Sequence, residues 1–263
     1  MELKKIMKRG MHAVADLILP RICIVCGDRL LLGERHICLH CLADMPLTRF
    51  WDMKHNPMAD RFNAAIQTAL VEDSVSGHDG QTCRHERYAY AAALFFFSDD
   101  APYRNILYNL KYKGRFDIGR HFGRILGTRL ASSEAFRDVD CVIPVPLHWL
   151  RLRRRGYNQA EVIAREVASA LGVRLDCKIL KRHRRTRTQT ALDIQSKSRN
   201  VAGAFSICGK HASKSATSPT HVLLIDDVFT TGSTLMACFT ALRTVYPPGV
   251  RISVATLGFV GGA

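Results

Sequence analysis

Two hydrophobic rhythms organise this chain. Tyr88 to Phe97 is apolar and rich in aromatic residues, which predicts a strand. Ala101 to Tyr112 and Phe116 to Leu130 space their apolar residues at helical intervals. Asp140 to Ile143 predicts a short strand, stopped by Pro144-Val145-Pro146. Gln159 to Leu171 is an amphipathic helix with Gly172 as its C-terminal stop. Val222 to Ile225 is a compact apolar run, the mark of a strand buried on both faces. A helical pattern from Gly232 to Tyr246, a Pro247-Pro248-Gly249 turn and a strand from Ile252 to Phe259 complete the series. Between these, Asp52 to Asp60 has no clear period, residues 61–87 are ambiguous, and Glu72 to Gln81 predicts a loop. Ile207 to Thr220, rich in Ser, Thr and Lys, predicts a flexible excursion. Strands and helices alternate without internal repeats. That predicts an α/β fold, a parallel-rich sheet flanked by helices, with ligands bound outside the strands' carboxyl ends.

Composition narrows the classes. A hydrophobic content of 47% over 263 residues excludes a wholly disordered chain. A formal net charge of +15 favours polyanionic partners such as nucleic acid, nucleotides or pyrophosphate. The first twenty residues are basic and then apolar, but His12 and Asp16 interrupt the apolar part. They predict a short amphipathic helix and not a signal peptide. No stretch reaches the roughly 18 apolar residues of a membrane span. The expected location is the cytoplasm, with room for contact with the inner membrane face.

Four of the nine cysteines form a pattern. Cys23-x-x-Cys26 and Cys38-x-x-Cys41 are two knuckles separated by eleven residues. Four thiolates at this spacing suit a tetrahedral structural zinc site, and so small a module needs the metal to fold. Residues 1–60 are therefore expected to form a zinc-binding module and its tether, and residues 61–263 the α/β domain. Cys141 and Cys238 sit in apolar patterns and are expected to be buried thiols. Cys83-x-His85, with His78 upstream, is a weaker metal candidate beside a plain surface loop.

The richest chemistry lies in His221 to Thr234, HVLLIDDVFTTGST. Asp226 and Asp227 follow the buried strand. Thr230, Thr231, Gly232, Ser233 and Thr234 then lead into a helix. A helix N-terminus offers unpaired N–H groups to phosphate, and hydroxyls add donors. Two carboxylates beside such a cradle suit a sugar with vicinal hydroxyls. Lysines of Lys111-Tyr-Lys-Gly114 suit either a phosphate or a helix C-terminus. Val145 and Pro146 lie in a stiff loop at the sheet's carboxyl edge. Arg151, Arg153, Arg154 and Arg155 follow it, a run suited to phosphate or nucleic acid. Lys181, Arg182, Arg184, Arg185 and Arg187 crowd a second basic stretch. That stretch is read as a lid over a polyanion, a nucleic-acid patch, or both; it has no aromatic residue for base stacking.

HVLLIDDVFTTGST resembles the 5-phosphoribosyl-1-pyrophosphate (PRPP) signature of type I phosphoribosyltransferases. The paired knuckles, Leu110-Lys-Tyr-Lys-Gly114, Pro144-Val-Pro-Leu147, Arg155-Gly-Tyr-Asn-Gln159 and the stretch from Arg182 to Asn200 make the whole chain resemble the ComF family. That family joins a zinc knuckle to a phosphoribosyltransferase-like domain and serves competence and DNA utilisation. The resemblance implies that Asp226 and Asp227 hold ribose hydroxyls and position Mg²⁺ through water. It implies that Thr230 to Thr234 cradle the 5′-phosphate, that Pro144 to Leu147 form the pyrophosphate loop, and that Arg182, Arg184 and Arg185 belong to a catalytic loop. Its implied partners are PRPP, single-stranded DNA and a DNA-import helicase or channel component. Two functions follow: a PRPP-binding protein or phosphoribosyltransferase with an acceptor not legible in the residues, or a non-catalytic single-stranded-DNA-binding competence factor on the same fold.

Overall fold

A computed structural model describes residues 20–75, 85–183, 203–208 and 218–261. Its strands are β1 (Ala91–Phe96), β2 (Cys141–Pro144), β3 (Arg174–Leu175), β4 (Leu180–Arg182), β5 (Phe205–Ile207), β6 (His221–Phe229) and β7 (Arg251–Phe259). Its α-helices are α1 (Leu39–Ala43), α2 (Pro57–Val75), α3 (Arg104–Tyr112), α4 (Phe116–Ala131), α5 (Trp149–Arg155), α6 (Gln159–Leu171) and α7 (Ser233–Arg243). Five strands form one parallel sheet in the order β1-β7-β6-β2-β3. β4 and β5 form a separate antiparallel ribbon.

The apolar runs explain the centre of the sheet. Val222 to Ile225 and Ile252 to Phe259 are buried on both faces, as parallel strands between helices must be. Chain direction then fixes the site. From β2 the chain passes outward to β3; from β6 it passes the other way to β7. Right-handed crossovers put α6 and α7 on opposite faces. The crevice between the carboxyl ends of β2 and β6 is therefore the topological switch point.

β6 runs four residues beyond the Val222–Ile225 stretch that the sequence predicts, through the acidic pair. Its partner β7 sustains it: Asp226 pairs with Thr256, Val228 with Gly258 and Phe229 with Phe259. On the other side β2 ends with Pro144 opposite Ile225. The acidic pair thus lies on a strand extension flanked on one side only.

α4 and α6 pack closely, with α6 on β2 and β6 and α4 on β1 and β7. The contact is a stripe of glycines at Gly119, Gly123 and Gly127. A Cβ at Gly127 would lie 2.8 Å from Ala170 Cβ and 3.0 Å from Val167 Cα. A Cβ at Gly123 would lie 3.1 Å from Ile163 Cα.

Two elements depart from expectation. Glu72 to Val75, predicted as loop, continue α2. No Gly or Pro interrupts the stretch after Pro57. Pro57 starts the helix, and Asn56 caps it by accepting from Met58 N (3.1 Å) and Ala59 N (2.9 Å). α5 was hidden by its arginines; His148 caps its start, and Gly156 ends it at φ +80°. α2 also runs across residue 60, where the tether was expected to end. Residues 76–84, 184–202 and 209–217 lie outside the described residues, and with them Cys83, His78, Arg184, Arg185 and most of the Ser/Lys-rich stretch.

The cysteine module is docked on the sheet. Leu47 makes an antiparallel bridge to Phe95. Phe96 N donates to Pro46 O (2.8 Å) and Thr48 N to Leu94 O (3.2 Å). Residues 46–48 thereby cover the open edge of β1. Met45, Phe50 and Trp51 are buried in the core that the sheet also builds.

Candidate functional site

Asp226 and Asp227 open into the β2–β6 crevice. Asp227 N donates to Asp226 Oδ1 (2.8 Å). Lys111, on the last turn of α3, places Nζ 3.0 Å from Asp227 Oδ1. Its side chain is 23% exposed and that of Asp227 13%. Burial works against the Lys111 ammonium, but Asp227 and then Asp226 outweigh it and raise its pKa. Asp226 is pushed up to about 7, first by burial and then by the neighbouring charge of Asp227. The Asp227 backbone N–H, Lys111 and Arg182 hold it from rising further. Two like charges side by side are thus kept in a crevice between cations from two other elements.

Arg182 comes from the β4–β5 ribbon, with its guanidinium 5.1 Å from the Phe205 ring centre. Burial lowers its pKa, and Asp226 opposes that. Of the basic stretch from 181 to 187, Lys181 and Arg182 are described, and the charge of Arg182 acts on Asp226.

The cradle follows on β6. Gly232 takes φ +80° as the residue before α7, a conformation glycine adopts freely. A Cβ there would lie 2.7 Å from Phe229 Cζ. The hydroxyls of Thr231 and Ser233 lie 2.8 Å apart, and Thr231 Oγ1 also accepts from Ser233 N (3.4 Å). Arg61 of α2 donates to Thr230 O (3.1 Å), tying the loop to the body. Thr230 is exposed, and Thr231 to Thr234 are half-buried. A helix that starts here directs the N–H groups of its first turn at the crevice mouth.

Across the switch point, Val145 is buried and its N–H is already taken by Ile225 O (2.8 Å). Asn158 Nδ2 donates to Val145 O (3.0 Å), and Asn158 also caps α6. Pro146 has no N–H. This loop shapes a wall and has little donor capacity at Val145 and Pro146.

The arginine run divides. Arg153 and Arg154 are exposed on α5, and Arg151 is half-buried. Arg155 turns inward, donating to Gln159 Oε1 (2.9 Å) with its guanidinium 5.4 Å from the Tyr112 ring centre. It lies close enough to Lys111 to press on its pKa. Arg155 Nε and Gln159 Nε2 are buried donors with no protein partner.

The sequence reading missed Lys111 as the partner of Asp227. Its motif was visible, but the choice between phosphate contact and helix-end cation needed the fold. It also missed Arg61, which no local pattern singles out, and gave Gln159 no ligand role although the Arg155-Gly-Tyr-Asn-Gln159 motif ends on it. His221, the first residue of the signature segment, is buried at the far end of β6. It meets Asp138 Oδ1 (2.7 Å) and Ser253 Oγ (2.7 Å) and belongs to the scaffold.

The four knuckle sulfurs lie within 4.8 Å of one another, and Cys26 and Cys38 sulfurs are 3.8 Å apart. A tetrahedron with Zn–S bonds of ~2.3 Å has sulfurs ~3.8 Å apart, so the donor set fits one structural zinc. Val25 N and Cys38 N both lie 3.4 Å from Cys23 Sγ, and Cys41 N lies 3.4 Å from Cys38 Sγ. Cys141 and Cys238 are fully buried thiols, as their apolar surroundings predict. Among the described residues no helix is long and apolar enough to cross a membrane.

Residues 157–258 match the phosphoribosyl transferase domain family, a span that holds α6, the β4–β5 ribbon, β6, α7 and β7. Competence protein F of Haemophilus influenzae is 32% identical over 145 residues, covering 54% of this chain and 62% of that protein. DNA utilization protein YhgH of Salmonella typhi is 26% identical over 225 residues, covering 83% of this chain and 89% of that protein. YhgH of Escherichia coli (strain K12) is 28% identical over 137 residues, or 51% and 58% of the two chains. A four-cysteine knuckle docked on a parallel sheet and an acidic pair at its switch point accompany a phosphoribosyl transferase domain match and similarity to competence protein F and DNA utilization protein YhgH, the likeness that the ComF resemblance implies.

Proposed function

We propose that this protein works in competence or DNA utilisation and binds PRPP, or a related phosphoribosyl compound, in the β2–β6 crevice. The acidic pair beside a hydroxyl-lined helix start carries this reading. Asp226 and Asp227 accept hydrogen bonds from the ribose 2′- and 3′-hydroxyls. Thr230 to Thr234 receive the 5′-phosphate. Arg155 Nε and Gln159 Nε2, two donors lacking partners, suit the pyrophosphate oxygens, as does Arg182 from above. The carboxylate pair fits Mg²⁺ held through water, and bound Mg²⁺ would neutralise charge on the pyrophosphate. In a transfer reaction the C1′–O bond to pyrophosphate breaks as the acceptor's bond to C1′ forms. The cations around the crevice stabilise the charge that the leaving group gains. Arg184 and Arg185 are assigned to the same loop by sequence alone. Residues 1–60 act as the zinc module and tether, and residues 61–263 as the phosphoribosyltransferase-like domain, with α2 crossing the join.

Calorimetric titration of PRPP with Mg²⁺ into wild type and Asp226→Ala/Asp227→Ala tests the site. Micromolar binding lost in the double variant is the expected result. No binding to folded, zinc-loaded wild type sinks the reading.

A second reading, single-stranded DNA binding, has its own support. Tyr108, Tyr112, Phe116 and Trp149 are 47–60% exposed. Tyr108 lies 5.2 Å from Tyr112, Arg155 stacks on Tyr112, and Arg120 lies over Phe116. Arg151, Arg153 and Arg154 adjoin them on α5. Aromatic faces among arginines suit stacked bases and a phosphate backbone, which the basic stretch at 180–189 lacked. Such binding fits work with a DNA-import helicase or channel on the inner membrane face. Replacing Arg153 and Arg154 with Ala should flatten the salt dependence of oligonucleotide binding; an unchanged slope excludes them as phosphate contacts.

A further inference from the structure

Lys111 is held in place from several sides. It sits on the last turn of α3, which Gly114 closes with φ +68°. The preceding residue, Leu110, is buried, and its carbonyl accepts from Tyr157 OH. The following residue, Tyr112, carries the Arg155 guanidinium. The Lys111 ammonium meets Asp227 at 3.0 Å and also acts on Asp226. Arg182 acts on Asp226 from the ribbon. Two carboxylates are therefore balanced by two protein cations before any ligand arrives.

This balance changes what the crevice attracts. A free divalent cation gains little from carboxylates already compensated, and Mg²⁺ sheds its water reluctantly. A phosphoribosyl pyrophosphate instead meets Lys111, Arg182 and Arg155, while its hydroxyls still find carboxylate oxygens. Resting on the phosphoribosyl reading above, we propose that Lys111 is a fixed counter-cation of the Asp226–Asp227 pair, and that it loosens the dependence of ligand binding on divalent cation. Lys111 thus acts as a positioning residue: its ammonium, 3.0 Å from Asp227 Oδ1, fixes that carboxylate and offsets the charge that Asp227 presses on Asp226.

The test is calorimetry of PRPP into zinc-loaded, full-length protein, in millimolar Mg²⁺ and in magnesium-free buffer. Wild type, Lys111→Met, Lys111→Arg and the exposed control Lys178→Met are compared. Wild type should weaken by roughly tenfold or less without Mg²⁺, and Lys111→Met by about a hundredfold or more. Lys111→Arg and Lys178→Met should follow wild type. Mg²⁺ alone should raise the melting temperature of Lys111→Met and leave wild type unmoved. Where Lys111→Met does not fold, Lys111→Gln takes its place, since it keeps a hydrogen bond without the charge. Parallel magnesium responses in wild type and the neutral variant overturn the inference while leaving the ligand site standing. Wild type that binds no PRPP even with Mg²⁺ overturns the phosphoribosyl reading and this inference with it.

Discussion

Asp226→Asn should make the protein more stable, and by an amount that grows with pH. In the fold, burial and Asp227 push Asp226 up to about 7, against an ordinary value of 3.8. The native state therefore keeps its proton over a range where the unfolded chain has lost it. Stability from this group is fully present below the unfolded value, falls as pH rises through the window, and levels off above about 7. Each pH unit in the window is worth about 1.4 kcal/mol, so the whole window costs at most about 4 kcal/mol. Asparagine removes the charge yet keeps the oxygen that accepts from Asp227 N at 2.8 Å. The gain for Asp226→Asn at pH 8 should exceed that at pH 6 by roughly 1 kcal/mol. Urea unfolding of both proteins at pH 6, 7 and 8 measures it. A pH-independent difference, or a variant less stable than wild type at pH 8, refutes the reasoning. The same substitution should weaken PRPP binding, so stability and ligand affinity are expected to move in opposite directions.

Gly127→Ala should destabilise by about 1–2 kcal/mol, because overpacking against Val167 and Ala170 exceeds the gain in helix propensity. A neutral result in thermal unfolding excludes close packing there, and Gly249→Ala, with open space around it, is the control. Cys38→Ser should lower the zinc content below one per chain by elemental analysis and reduce the melting temperature; a full complement of zinc in the variant refutes four-cysteine ligation. Tyr112→Ala with Trp149→Ala should weaken oligonucleotide binding by about 1–3 kcal/mol per stacked base lost, with the salt slope retained. An unchanged affinity removes those rings from any stacking surface.

Much of the fold was legible because its signals are local. Gln159 to Leu171 begins with a capping Asn158 and ends at Gly172 in the left-handed region, and both ends match the pattern. The core strands declared themselves through uninterrupted apolar runs. The extension of β6 through Asp226 to Phe229 did not, since carboxylates read as a strand's end; its cause is non-local pairing with β7. α5 was obscured by Arg151, Arg153, Arg154 and Arg155, which read as a phosphate or nucleic-acid contact run and not as a helix, although His148 and Gly156 were its caps. The candidate site was legible at the motif level. What no motif contained was relation in space: Lys111 and Asp227 are distant in sequence and 3.0 Å apart in the fold. Arg155 belonged by sequence with Arg153 and Arg154, yet the helix turns it to the opposite task.

The covering of β1 by residues 46–48 has a consequence for quality control in the cell. An uncovered parallel edge strand of Ala91 to Phe96, apolar and uncharged, is a template for pairing with another chain. The four-cysteine module keeps that template closed through Leu47, Pro46 and Thr48. Zinc loss would then do more than unravel a small appendage. It would convert a covered sheet edge into an adhesive one, so zinc starvation should drive this protein into aggregates before its main core melts.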